Sequence, residues 1–143
     1  RGHVRIADAN PMAAPKITPN YLSTTEDRRV AADSLSLTRR IVAAPAMQRY
    51  SPQEFMPGVN FKTEEELAFA AGNIGTTIFH PVGTCKMGRD DDPMAVLDSQ
   101  LRVRGIGHLR VVDASAMPTI TSGNTAAPTM MIAQRAAELL TSE

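Results

Sequence analysis

The sequence is poor in cysteine, in aromatic side chains and in an excess of either charge. Cys85 is the single cysteine among 143 residues, which excludes an internal disulfide and a metal site built from several cysteines. The chain has 15 Lys and Arg residues against 15 Asp and Glu residues, so its formal charge is zero. Because nucleic acids and anionic membranes favour a basic surface, this balance argues against both as partners.

Long apolar segments are missing as well. No apolar run reaches about 18 residues, the length that a membrane-spanning helix needs, and no signal-like leader opens the chain. We therefore expect a cytoplasmic protein. The chain begins at Arg1 inside a strand-like stretch, so we also expect it to be a piece of a longer protein.

Neither of the common glycine-rich nucleotide motifs occurs. The sequence contains no G-x-G-x-x-G and no G-x-x-x-x-G-K-[ST], and the shorter runs GNIG and GIG do not qualify. The chain therefore lacks a dinucleotide-binding turn of its own.

Hydrophobic patterning predicts a strand at the start of the chain. In GHVRIADA the apolar residues alternate, and Val4 and Ile6 share one face. The following NPMAAPKITPNYLS holds three prolines, so an irregular, extended connection is expected there.

Two capping-box spacings predict the helices of the first half. Ser23 with Glu26 opens a helix over 24–44, and Thr63 with Glu66 opens a shorter one that ends before Gly75. The helical period places the following residues on the buried side of the longer helix: Val30, Ala31, Leu35, Leu37, Thr38, Ile41 and Val42.

The second half ends in a predicted strand, loop and helix. Short strands are expected near Val96 and Leu101, and LRVVD at 109–113 has the pattern of a buried strand. A loop over 114–124 then leads to a helix from about Thr125 to Leu140. Open α/β sheets bind ligands beyond the carboxyl ends of their strands, which makes three residues there site candidates: Asp113, Ser115 and Asn124.

His80 stands in TTIFHPVGTCKMG, after an apolar run and directly before Pro81. A residue before proline avoids the helical region, so the ring is expected to project from an extended segment. Histidine is the usual general base in enzymes, because imidazole titrates near neutral pH. The residues alone leave a second interpretation open, in which His80 is partly buried and bonded to a backbone carbonyl.

Three other features are weaker candidates for chemistry. Cys85 has no partner cysteine and is interpreted as a small buried thiol, not a nucleophile. The acidic run at 90–92 lacks the glycine and glutamate of a calcium loop, so a solvated turn is expected. The spacings of His3, His80 and His108 fit no zinc pattern, so no metal site is predicted.

SGNTAAPT, at 122–129, places a glycine, an asparagine and small residues at the start of the last predicted helix. Asn124 is a favourable N-cap. Such a start exposes backbone N–H groups beside small side chains, which suits the binding of a carbonyl or an anion. Ordinary capping without a ligand is the alternative.

Taken together, three motifs resemble the C-terminal domain of the glucose–methanol–choline oxidoreductases, which are FAD-dependent alcohol oxidases and dehydrogenases. RGHVRIADANPMAAPKITPNYLSTTED is similar to the family's entry segment, and FHPVGTCKMG matches its H-P-x-G-T-C-x-M-G signature. LRVVDASAMPTITSGNTAAPTMMIAQRAAELL is similar to its C-terminal FAD-return segment. The resemblance covers almost the whole chain and is strongest to choline dehydrogenases and bacterial alcohol dehydrogenases.

The resemblance implies roles for several residues. His80 stands at the family's catalytic base, which takes the alcohol proton while hydride passes to flavin N5. Asn124 stands at the position of its partner, and Phe79 is implied to line the substrate pocket. The implied contacts to FAD are Asp113, Ala114, Asn124, Thr125, Ala126 and Ala127.

The patterning and the resemblance together imply an α+β fold with mixed strands and about three helices. Residues 1–78 would form a substrate-binding layer, and residues 79–143 would carry the catalytic histidine and a βα return into an FAD domain. The family's N-terminal FAD-binding half is absent from the chain, so the chain alone is expected to bind FAD weakly and to be inactive. The expected substrate is a primary alcohol, and neither the alcohol nor the electron acceptor can be named from these residues.

A non-catalytic structural or interaction domain of the same lineage is the alternative function. Such a domain would have to cover an exposed sheet edge and an apolar helix face against a partner. A monomer that unfolds cooperatively would favour this autonomous module, whereas a soluble oligomer would indicate that truncated surfaces are being covered.

Overall fold

The chain forms two units in the computed structural model, which describes residues 1–142. The first unit is Arg1–Thr76 and the second begins at Thr77. Each unit has a small apolar core of its own. The functional roles predicted for residues 1–78 and 79–143 stay predictions.

The first unit opens with a two-stranded antiparallel sheet. β1 is His3–Arg5 and β2 is Lys16–Thr18. The strand predicted at the start is confirmed, but the irregular connection predicted after it is wrong over β2. Pro15 and Pro19 flank β2 instead of interrupting it, and Ile17 between them is β-branched, so the three residues can pair.

The first long helix, α1, spans Thr25–Val42 and starts one residue later than predicted. Its N-cap is Thr24, whose Oγ1 accepts the N–H of Asp27 at 3.0 Å. The predicted capping pair, Ser23 and Glu26, is therefore wrong by one residue. In STTED the capping spacing occurs twice, as Ser23 with Glu26 and as Thr24 with Asp27, and the second pair forms the cap.

Two more helices complete the first unit. α2 is a single turn at Pro45–Gln48, and α3 spans Glu64–Ile74. The capping box predicted for α3 is confirmed: Thr63 Oγ1 accepts the N–H of Glu66, whose carboxylate accepts the N–H of Thr63 at 2.9 Å. Gly75 ends the helix as predicted.

The core of the first unit lies where α1 packs against α3. Ala32 of α1 meets Leu67 and Ala68 of α3, and Leu35 and Phe61 edge this cluster. The alanines are small, so the two helices can approach closely.

The apolar face predicted for α1 is wrong in its main residues. Val30, Leu37 and Ile41 each keep more than half of their surface exposed. α1 instead packs through the stripe that contains Ala32. The helix therefore carries two apolar stripes, and the helical period alone does not tell which of them packs within this unit.

Arg39 ties α1 to the loop that precedes α3. Its guanidinium forms a bidentate pair with Glu54, at 2.7 and 2.9 Å, and also donates to the carbonyls of Gly58 and Phe61. The hydrogen bonds from Arg39 lower the pKa of Glu54 below its ordinary value. One half-buried side chain thus holds the whole loop over 54–61.

The second unit has little regular structure before its last helix. The strands predicted near Val96, near Leu101 and over 109–113 are wrong. Turns at 104–105 and 107–108 break the extended chain, so no long ladder can build up. Only single bridges form in this region: Met87 to Leu97, Leu97 to Val103, and Arg102 to Arg110.

The last helix, α4, spans Ala126–Thr141, within one residue of the prediction. A short 3-10 helix at Ala114–Ala116 begins the loop that leads to it. The core of the second unit joins this loop, α4 and the bridged region through Leu97, Leu101, Ala116, Met117, Ile132 and Ala136.

Within the described residues the protein is a small mixed α/β domain with four α-helices and a two-stranded sheet. The predicted α+β class with about three helices is confirmed at this level, since α2 is a single turn. The strand of the predicted βα return does not form. No helix in the described part of the chain has the length and apolar character needed to cross a bilayer.

We predict that Arg39→Gln lowers the melting temperature of the chain by several degrees at neutral pH. The substitution removes the cationic partner of the Glu54 carboxylate, which keeps the N–H of Gly58 at 3.1 Å, and the Arg39 donors to two carbonyls. Arg29→Gln is the matched control on α1, because Arg29 makes only an exposed i,i+4 pair at 3.5 Å. Circular dichroism on heating measures both variants.

The difference between wild type and Arg39→Gln should shrink at low pH. A carboxylate whose pKa is lowered in the folded state stabilises it above the unfolded pKa, about 4.3 for Glu, and that contribution is lost as pH falls through the folded pKa. Equal melting temperatures for Arg39→Gln and Arg29→Gln at pH 7 would contradict this role.

Candidate functional site

The segment around His80 is a non-helical loop whose imidazole is left open. Phe79, directly before it, has a φ of +62°, and its side chain is 83 % exposed. His80 itself is half-buried, and its ring makes no hydrogen bond or ion pair with another of residues 1–142. The ring is therefore not tied to a backbone carbonyl, and its nitrogens are open to a ligand.

Gly83 brings this loop against the other half of the second unit. Its φ is +84°, a conformation that glycine adopts without a steric cost. A Cβ added here would lie 3.3 Å from the carbonyl oxygen of Met117. The chain thus makes a close backbone approach at this glycine, and its partner is the carbonyl of Met117.

Two backbone hydrogen bonds continue this contact. The N–H of Cys85 donates to the carbonyl of Ser115 at 3.1 Å, and the N–H of Met87 donates to the carbonyl of Ala116 at 2.9 Å. Cys85 is half-buried against the core, in keeping with a structural thiol. The loop that carries His80 is therefore fastened beside the short 3-10 helix.

Asp113 forms the cap of that 3-10 helix. Its carboxylate accepts the N–H of Ser115 at 2.8 Å and the hydroxyl of the same residue. Asp113 is exposed and Ala114 is half-buried. The residues predicted to lie by the cofactor thus start the 3-10 helix instead of ending a strand.

The start of α4 differs from the prediction in its cap. The N-cap is Thr125, which is buried at 8 % exposure, and no side chain caps the helix. Asn124 is exposed and is not the N-cap, so that prediction is wrong. The carbonyl of Thr125 accepts the first helical hydrogen bond, from the N–H of Thr129 at 3.0 Å, so the helix begins one residue later than a cap at Asn124 requires.

Ala126 and Ala127 lie in the first turn of α4 with exposed side chains. Their N–H groups have no intrahelical acceptor, as at the start of any helix, and Pro128 follows without an N–H. The N-terminus of α4 therefore presents two backbone donors beside methyl-sized side chains, with the positive end of the helix dipole behind them.

The structure gathers the predicted site segments around one core. Val82, Cys85 and Met87 of the histidine loop pack against it together with Ala114, and α4 contributes to it directly. His80, Asp113 and Asn124 each belong to one of these three segments. Their chemical roles stay predictions.

The acidic run at 90–92 is a turn with cationic partners. Asp92 accepts a hydrogen bond from Lys86 Nζ at 2.6 Å, which lowers the Asp92 pKa, and also the N–H of Met94. Asp90 pairs with Arg104 at 2.8 Å. Among residues 1–142 no three His, Cys, Asp or Glu side chains gather as metal ligands.

Two residues of this region were missed by sequence reasoning. Ala116 offers a carbonyl that, together with that of the candidate Ser115, holds the histidine loop, and Thr77 accepts the N–H of Phe79 at 3.1 Å. Every residue has a backbone carbonyl, so the residue types do not reveal which carbonyls accept hydrogen bonds from distant segments. The threonine two positions before Phe79 was the one available signal, since such hydroxyls bond to nearby N–H groups.

A family model described as GMC oxidoreductase matches residues 1–133. The oxygen-dependent choline dehydrogenase of Vibrio vulnificus (strain YJ016) is 51% identical over 140 residues, which cover 98% of this chain and 25% of that protein. The alcohol dehydrogenase [acceptor] of Pseudomonas putida is 44% identical over 140 residues, with the same coverage.

A solved structure agrees with these matches. An FAD-dependent oxidoreductase from Chaetomium thermophilum has a TM-score of 0.89 and 30% identity, over 99% of this chain and 24% of that chain. The chain thus spans about a quarter of the length of the curated relatives it matches.

We predict that Gly83→Ala destabilises the second unit by about 1–2 kcal/mol, because alanine is strained in the left-handed region and its Cβ crowds the Met117 carbonyl. Gly105→Ala, at a φ of +79° with nothing within 4 Å, carries only the backbone strain. Gly107→Ala, in open space without a positive φ, carries neither cost. Urea unfolding ranks the three variants, and equal midpoints for Gly83→Ala and Gly107→Ala would overturn the contact.

Proposed function

The chain belongs to the GMC oxidoreductase family, and we propose that it is the C-terminal, substrate-side part of an FAD-dependent alcohol oxidoreductase. The activity is proposed from the relatives named above, a choline dehydrogenase and an alcohol dehydrogenase. Because the chain covers 25% of each, the activity of a whole protein is part of this proposal.

The residues present fit one edge of a flavin. The first turn of α4 offers the N–H groups of Ala126 and Ala127 beside small, exposed side chains, a donor set that suits the polar edge of a planar ring. The Gly-rich turn that holds a dinucleotide is not in this sequence. FAD, when bound, supplies the hydride acceptor for alcohol oxidation.

His80 is the proposed general base. An alcohol carbon gives up hydride readily only when the hydroxyl proton leaves, so a base must stand at that oxygen. One observation supports His80 above all others: a half-buried imidazole without a partner among the described residues. Such a ring has a nitrogen free to accept the hydroxyl proton.

Asn124 is the proposed second contact to the substrate oxygen. Its side chain neither caps α4 nor hydrogen-bonds to another described residue, so the amide is available as a donor. Phe79, which is 83 % exposed, is proposed to line the pocket on the same loop as the base. A primary alcohol is the proposed substrate class, in line with the names of the relatives.

A second function is favoured by the apolar surface. Phe55 is 88 % exposed, Phe69 and Val59 are each 68 % exposed, and α1 shows an unpacked apolar stripe. A non-catalytic interaction domain of the same lineage would use such surfaces for association. Flavin content and turnover separate the two: the interaction domain carries neither in any assembly, whereas the enzyme part has both in the protein that contains this chain.

We predict that His80→Ala, in the FAD-loaded protein that contains this chain, lowers alcohol turnover by about two to four decades. His3→Ala is the matched control, because His3 is an exposed residue of β1. Steady-state rates and the flavin absorbance of the purified variants measure the outcome. Retained flavin with lost turnover supports the base, whereas an unchanged rate removes His80 from the mechanism.

We predict that the 143-residue chain alone binds FAD weakly and does not oxidise alcohols. The chain contributes donors to one edge of the ring and has no dinucleotide turn of its own. Equilibrium dialysis against FAD measures the affinity. A purified chain with stoichiometric flavin would contradict this expectation.

A further inference from the structure

Thr77 accepts the one hydrogen bond that links described residues in the stretch from 76 to 84, which contains the histidine. The N–H of Phe79 donates to Thr77 Oγ1 at 3.1 Å. The chain on either side is anchored, by the N–H of Gly75 to Ala71 and by the N–H of Cys85 to Ser115. His80 lies within the loosely tied part.

Phe79 has a backbone conformation that its side chain does not explain. Its φ of +62° lies in the left-handed region, which is uncommon for a bulky residue. Phe79 is 83 % exposed, so packing against the described residues does not offset the strain. The Thr77 hydroxyl is the one described group that stabilises this turn, through a local side chain–backbone bond.

The direction of the His80 ring depends on this turn. The ring has no hydrogen-bond partner among the described residues, so its direction depends on the backbone on either side and on the packing of this half-buried residue. Pro81 restricts His80 from the carboxyl side, and the left-handed residue at 79 turns the chain on the amino side. A change at 79 would therefore rotate the ring away from its present direction.

We propose that Thr77 is a positioning residue for the reaction: its hydroxyl holds Phe79 in the left-handed conformation and so aims His80 at the substrate oxygen. The proposal rests on the proposed function of His80 as the base. Thr77 touches neither substrate nor cofactor in this role.

The test compares Thr77→Val with Thr77→Ser in the FAD-loaded protein. Valine keeps the shape and removes the acceptor, whereas serine keeps the hydroxyl. Because small misplacements of a catalytic group are costly, we expect Thr77→Val to lower kcat by about tenfold to a hundredfold, with KM and flavin content little changed. Thr77→Ser should restore kcat to within about threefold of wild type, on the same reasoning.

A double-mutant cycle with Phe79→Gly tests the route of the effect. Glycine occupies the left-handed region without help, so Thr77→Val should cost much less in the Phe79→Gly background than in wild type. The cycle also corrects for the loss of the phenyl ring, which both Phe79→Gly variants share. Crystal structures of the variants add a readout besides activity: φ at residue 79 should leave the left-handed region only in Thr77→Val.

The outcomes separate this proposal from the function on which it rests. Full kcat in Thr77→Val, with His80→Ala inactive, overturns the positioning role and leaves the base in place. An active His80→Ala overturns the proposed base itself. An equal loss from Thr77→Val in both residue-79 backgrounds also overturns the proposal, because the hydroxyl would then act by another route. A fall in the melting temperature of Thr77→Val without rescue by Phe79→Gly assigns Thr77 a merely structural role.

Discussion

Two backbone hydrogen bonds, from Cys85 to Ser115 and from Met87 to Ala116, hold together the frame on which the candidate site is built. They fasten the histidine loop beside the 3-10 helix, and Gly83 against the Met117 carbonyl completes the contact. The same strip of chain forms the core with α4. The histidine, the aspartate and the start of the last helix therefore belong to one packed unit, although little regular sheet supports them.

The site combines a loop that backbone hydrogen bonds fasten with an imidazole that has no hydrogen-bond partner among the described residues. Residues 85–87 are fastened to another segment, whereas residues 76–84 make one local hydrogen bond within the described part of the chain. A general base has to keep a nitrogen free for its substrate, so it cannot be held by its own hydrogen bonds at both nitrogens. In this chain the backbone on either side positions the ring, because the residue before the histidine is left-handed and the residue after it is a proline.

Local signals predicted the helices well and the strands poorly. The capping box at Thr63 is complete within four residues, so α3 could be placed from sequence, and α4 followed from its period and its start. The strand expected over 109–113 needed neighbours that residue types do not reveal, and α1 carries two apolar stripes of which one packs. The H-P-x-G-T-C-x-M-G motif pointed to His80, but the carbonyls that anchor its loop and the positive φ of Phe79 are set by contacts between segments.

The most direct test is the structure of the FAD-loaded protein that contains this chain, with an alcohol bound. The account predicts an imidazole nitrogen of His80 within about 2.6–3.2 Å of the alcohol oxygen, with the Asn124 amide on the same oxygen. A substrate hydroxyl held by other residues, with the His80 ring turned away from it, would contradict the central claim that this histidine takes the proton.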